Sequence, residues 1–184
     1  YVNQGVTINE IHNVYQVPKS LQQQWAARSY HGDVQNNARA VLNRFLGFYD
    51  GNPVNLLPLS PKDSAPLYVE MMGGSEKIIA KGRELMDQGK YLLATEILNR
   101  LVFAEPQNKP ARQLLADAYE QLCYQAESTS VRNSYLQGAF ELRNGLPGGL
   151  PPRPTGPDVV RAMSTDMWLD FLGISVDPRK ADGM

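Results

Sequence analysis

The chain has 184 residues, 42% of them apolar, and 18 basic side chains against 19 acidic ones leave a net charge of −1. That apolar share is enough for a packed core and excludes a disordered chain. The balanced, interleaved charges offer no footprint for nucleic acid or an anionic membrane surface, and no stretch approaches the roughly 20 consecutive apolar residues of a membrane span.

Thr7 and Glu10 form a T-x-x-E capping box, which predicts a short helix opening near residue 8. Tyr30-His31-Gly32 reads as a turn before a helix capped by Asp33. Ser60, Pro61 and Asp63 fit the N-cap, first and third positions of another helix, where proline loses no needed hydrogen bond and aspartate suits the positive end. Beyond them the apolar spacing is that of amphipathic helices. Ile78, Ile79, Gly82, Leu85 and Met86 repeat in this way, then Ala94, Ile97, Leu98, Leu101 and Val102. Leu114, Leu115, Ala118, Tyr119 and Leu122 follow, then Tyr135, Leu136, Ala139 and Phe140. These are four helices in series, with Gly73-Gly74, Gly89 and Gly145 as stops or turns. Alternating β-branched runs are scarce, so the predicted fold is an all-α, multi-helix bundle.

A repeat lies inside this bundle. Leu85 and Tyr119, Gly82 and Ala116, and Gly89 and Cys123 are each offset by 34, the period of tetratricopeptide-type helix pairs. The second copy degrades after Gln125, and a free-standing solenoid needs about three repeats. Such a surface must be covered in another way. Residues 145–156, GLPGGLPPRPTG, hold eight Gly or Pro in twelve and read as a linker. A further amphipathic helix is predicted from Pro157-Asp158 through Val159, Val160, Met163, Met167, Phe171 and Leu172.

The reactive residue types are few. One cysteine, Cys123, excludes an internal disulfide, and with no near positive charge it reads as a small buried side chain. With only His12 and His31, the chain cannot assemble a His-rich catalytic metal site alone. His12 lacks partners at metal spacing and reads as a satisfied structural histidine. Gly73-Gly74-Ser75-Glu76-Lys77 lacks the spacing of a phosphate loop and reads as a helix cap. Trp25, Tyr30, Phe45, Phe48 and Tyr49 form an aromatic cluster that core packing explains in the main, with an interface anchor as the alternative.

YHGDVQNNARAVLNRFLGFYDGNP, LVFAEPQNKPARQLLADAYEQLCYQAES and RNSYLQGAFELRNG carry a resemblance to alkylsulfatases of the metallo-β-lactamase superfamily. The first, from Tyr30 to Pro53, resembles the segment after the catalytic domain. The other two, within 101–145, resemble the dimerisation domain. NQGVTINEIHN looks like the last helix of the metal-binding domain, and PDVVRAMSTDMWLDFL is similar to the opening helix of a sterol-carrier-like domain. The organisation so implied is 1–29 as the end of a metallo-β-lactamase-type catalytic domain, 30–145 as a helical dimerisation domain, 146–156 as a Pro/Gly linker, and 157–184 as the start of a further domain. The opening YVNQGVTINE has no initiator Met and no signal-peptide pattern, which reads as a cut inside a longer protein.

The resemblance implies a homodimeric enzyme with two zinc ions that hydrolyses sulfate esters of long-chain alcohols. It points to a secreted or periplasmic bacterial location, which the residues themselves do not fix. The family's HxHxDH motif is absent here, so the chain alone is expected to hold no metal or cofactor and no activity. The resemblance also places Tyr30, His31 and Asn36 near the catalytic pocket. His31 would donate a hydrogen bond to a sulfate or leaving-group oxygen, and Tyr30 and Asn36 would orient substrate. Near Phe45 the family often carries Tyr, and Phe there removes a hydroxyl donor. The competing reading is a tetratricopeptide-like scaffold for foreign peptides, which would want a regular array and a polar groove.

Overall fold

The computed structural model describes residues 1–148 and 156–181. Most of the expected linker, residues 149–155, lies outside the described residues. The chain divides into two units, Tyr1–Leu146 and Pro147–Met184. Among the described residues all regular structure is helical, with no strand.

The first unit is built on the four helices expected in series: α5 (Ser75–Asp87), α6 (Tyr91–Ala104), α7 (Lys109–Gln125) and α8 (Thr129–Asn144). Each packs on the next, and α4 (Pro61–Met71) leans on α6. Ser60 caps α4 as its spacing predicts. Its Oγ accepts from the Asp63 N–H at 3.2 Å and donates to Asp63 Oδ2 at 2.6 Å. Tight turns then fold the helices back. After α5, Gly89 takes φ +70°, its N–H donates to Met86 O, and the Lys90 N–H donates to Leu85 O. This Schellman pairing satisfies carbonyls that the helix end leaves open, and the left-handed φ is why glycine stands there.

The apolar stripes meet in one core of Val69, Ile78, Leu85, Ala94, Leu98, Leu101, Ala111 and Leu115. Gly82 faces the methyl groups of Leu98 on α6 and Leu114 on α7 at a crowded contact. Ala116 of α7 is also fully buried. Cys123 is buried and free, as expected. Polar ties close the far end of the stack. Arg112 donates to the carbonyls of Leu142 (2.7 Å) and Glu141 (3.2 Å), serving the last turn of α8. Arg143 of α8 binds Asp117 (2.8 Å) and Glu120 (2.9 Å) of α7.

The N-terminal part departs from expectation. The helix predicted near residue 8 begins at Ile11: α1 spans Ile11–Val14. Half of the capping box is present, because Glu10 Oε2 accepts from the Thr7 N–H at 3.1 Å. The Thr7 hydroxyl, however, donates to that same carboxylate at 2.8 Å, so residues 8–10 remain a turn. A second short helix, α2 (Lys19–Gln22), leads to α3 (Val34–Leu46), whose N-cap is Asp33. Ile11 and Leu42 are buried where α1 packs on α3.

The second unit holds α9 (Pro157–Ala162), α10 (Thr165–Ser175) and α11 (Pro178–Ala181). The single helix expected through Leu172 is thus two. Ser164 is extended and caps α10, accepting from the Met167 N–H at 3.3 Å, so a cap signal interrupts the apolar period.

Candidate functional site

The residues singled out at 30–36 lie at a junction between the N-terminal part and the bundle. The Tyr30 carbonyl accepts from the Thr129 N–H at 2.7 Å and from Thr129 Oγ1 at 3.2 Å. The next carbonyl, of His31, accepts from Ser128 Oγ at 3.0 Å. Ser128 is only 1% exposed and also caps α8, receiving the Val131 N–H at 3.4 Å. Arg28 pairs with Glu127 beside them. Ser128 and Thr129, at the cap and first position of α8, therefore hold the backbone of the turn, while Glu127 ties the side chain of Arg28, all across 97 to 99 residues of chain.

Fixing the backbone leaves the side chains outward. The Tyr30 hydroxyl donates to the Trp25 carbonyl at 3.1 Å, and its ring meets the Trp25 ring edge-on at 6.2 Å. The His31 imidazole is exposed. Asn36 stands in the first turn of α3, where its N–H donates to Asp33 Oδ1 at 2.9 Å while its side chain faces solvent. Tyr30 and His31 thus lie in the turn, and Asn36 in the first turn of the helix that follows it. Tyr135 on α8 stands within reach of the Asp33 charge. Burial, and then the Asp33 charge, push its phenol above the ordinary tyrosine value. It packs on Tyr119 with ring centroids 5.7 Å apart, and burial raises the Tyr119 phenol too.

A cavity of about 650 Å³ opens on another side of α3, between it and the N-terminal segment. Tyr1, Tyr15, Leu21, Val34 and Val41 line it, a mostly apolar set that includes none of Tyr30, His31 and Asn36. His12 points outward from α1, so it is exposed instead of satisfied within the fold. Among the described residues no group of three or more His, Cys, Asp or Glu is placed to hold a metal ion.

The aromatic cluster corrects the core-packing expectation. Phe45 is 82% exposed, Phe48 78% and Trp25 74%, and Tyr30 and Tyr49 are exposed as well. The apolar surface continues into the stretch between α3 and α4, where Leu57 is 92% exposed, with Val54 and Leu59 also outward. This arm is ordered at its base by Asp50. Its carboxylate takes the Asn52 N–H at 3.0 Å and the side-chain amides of Asn55 and Asn9, each at 2.7 Å. The Asn52 N–H foremost holds the Asp50 carboxyl below the usual value. The arm has a sequence signal: residues 53–59, PVNLLPL, are apolar yet lack a helical period, and Pro53 and Pro58 interrupt them. The junction had no such signal, because its bonds end on backbone carbonyls.

A helical stack with a wide exposed apolar surface is the construction of an interaction module. The chain belongs to the alkyl sulfatase dimerisation family, whose model matches residues 7–145. It is 45% identical to an (R)-specific secondary-alkylsulfatase of a Pseudomonas species over 99% of this chain and 27% of that protein. It is 43% identical to a linear primary-alkylsulfatase of Pseudomonas, over 94% of this chain and 26% of that one. The alkyl/aryl-sulfatase BDS1 of Saccharomyces cerevisiae is 42% identical over 99% of this chain and 28% of its own length. The solved structure of the stereoselective inverting sec-alkylsulfatase Pisa1 from Pseudomonas overlays with a TM-score of 0.90 and 45% identity, over 98% of this chain and 28% of that chain. The chain therefore spans little more than a quarter of the length of these relatives.

Proposed function

We propose that this chain is the pairing module of a sulfuric ester hydrolase acting on long-chain alkyl sulfates, and that two copies associate through it. The observation that carries the reading is the match in sequence and fold to alkylsulfatases over nearly the whole chain. The peptide-scaffold alternative is not favoured by a family defined by dimerisation. One primary- and one secondary-alkylsulfatase are almost equally similar to this chain, which supports a choice between such substrates made elsewhere in the enzyme.

The two zinc ions expected from the resemblance do not fit the residues described here, which offer no cluster of ligands. We assign them to a metallo-β-lactamase-type domain preceding this segment, with a sterol-carrier-like domain following it. The chain alone would then have no sulfatase activity. His31 is the side chain we assign to the pocket of the assembled enzyme, as donor to a sulfate or leaving-group oxygen, with Tyr30 and Asn36 beside it. An exposed imidazole on a backbone pinned to α8 supports that role, since a preorganised donor stabilises developing charge without reorganising.

Light scattering on a sizing column tests the pairing. A species of twice 20.5 kDa is expected. A folded monomer at every accessible concentration would overturn pairing by this module, and sulfatase turnover by this chain alone would overturn the division of labour.

A further inference from the structure

The polar groups at the α7–α8 junction do more than a helix cap requires. A serine N-cap needs only to accept a first-turn N–H, and the bond from Val131 to Ser128 Oγ, at 3.4 Å, is the longer of the two that this hydroxyl makes. The shorter, at 3.0 Å, is the donation to the His31 carbonyl. The next residue gives both its N–H and its hydroxyl to the carbonyl of Tyr30. The residue before pairs its carboxylate with Arg28. Ser128 is the one polar side chain among the fully buried residues of the first unit. It is enclosed where a hydroxyl without partners would be costly.

We propose that Ser128 is a positioning residue for His31, and that Ser128 and Thr129 form a latch fixing the Tyr30–His31 backbone to the bundle. The proposal rests on the reading that His31 faces substrate. Side-chain direction follows from backbone direction, so holding two successive carbonyls sets where the imidazole can point. A catalytic donor misplaced by an ångström loses much of its effect. Because the latch sits on α8, the helix stack determines the placement of a residue that precedes α3.

The first test needs no substitution. The Thr129 N–H is the first of α8, a position whose donor has no partner within the helix. In the full chain its hydrogen exchange is expected to be roughly tenfold slower or more than that of the first-turn amides of Ser75 and Thr165, as a formed hydrogen bond gives. Equal exchange would overturn the latch.

The second test reads the two histidines by NMR. Ser128→Ala is expected to shift and broaden the His31 ring signals and leave those of His12 unchanged, while Ser128→Thr restores them. Ser60→Ala, which removes a cap far from the turn, should leave His31 alone. An unaltered His31 signal in a folded Ser128→Ala chain would overturn the positioning role.

In the complete enzyme, Ser128→Ala should lower kcat more than it raises KM, and Ser128→Thr should recover it. If His31→Ala leaves turnover intact while the NMR effect stands, the latch survives and the substrate-facing reading of His31 falls.

Discussion

The contact at Gly82 predicts a coupling between two substitutions that neither alone reveals. Leu98 is fully buried between α5, α6 and α7, and Leu98→Ala should cost about 2–5 kcal/mol through lost transfer energy and a residual void. Gly82→Ala brings two opposed effects. Replacing glycine within a helix contributes about 1 kcal/mol in favour of folding. The new methyl, however, would stand 3.0 Å from Leu98 Cδ2 and 3.2 Å from both Leu98 Cδ1 and Leu114 Cδ2. Forcing a methyl into a filled core costs about 1–3 kcal/mol, so the single variant should be destabilised by about 1 kcal/mol net.

In the Leu98→Ala background two of those three clashing atoms are gone, and the Gly82→Ala methyl enters the vacated space. It should then stabilise by about 1 kcal/mol, from helix propensity and partial filling. The coupling between the sites is therefore about 2 kcal/mol, within the range measured for residues in contact. Guanidinium denaturation followed by far-UV circular dichroism on the four proteins of the cycle measures it. Additivity within about 0.5 kcal/mol, the behaviour of independent sites, would refute the packing argument.

Two further outcomes follow from the surface. Glu105 accepts hydrogen bonds from the Ser75 hydroxyl, the larger effect, and from the Asn108 amide, and both hold its carboxyl below the ordinary value. A depressed carboxyl stabilises the fold above its unfolded pKa, and that contribution is lost as the pH falls through the folded pKa. Melting temperature should thus fall more steeply in the native chain than in Glu105→Gln between about pH 5 and pH 2, and parallel curves would count against the assignment. Leu57 carries no packing in the single chain, so Leu57→Asp should change stability by no more than about 0.5 kcal/mol. If the arm pairs with a second copy, the same change should shift the light-scattering mass from dimer towards monomer. An unchanged dimer would place the contact elsewhere.

How far the sequence could be read depends on where its interactions lie along the chain. Helices α5 to α8 were legible because period, caps and glycine stops are local, and each agreed with the others from Ile78 to Phe140. The two misplaced helix boundaries arise from local competition. At Thr7 the hydroxyl binds a neighbouring carboxylate and leaves the first turn unfinished, and at Ser164 a cap breaks a run that the apolar spacing alone would have continued. The aromatic residues show a different limit. Hydrophobicity says that Phe45, Phe48 and Trp25 should be covered but not by what, and among the described residues they stand largely exposed. For an interaction module that is the informative outcome: a residue that looks like core and stands in solvent reports a surface still to be occupied. The Ser128 latch could not have been read in advance, since a hydroxyl bonding to a carbonyl 97 residues away leaves no trace in spacing or composition. Folding alone brings them together, and the candidate site therefore depends on the bundle for its geometry although its side chains come from before α3 and from its first turn.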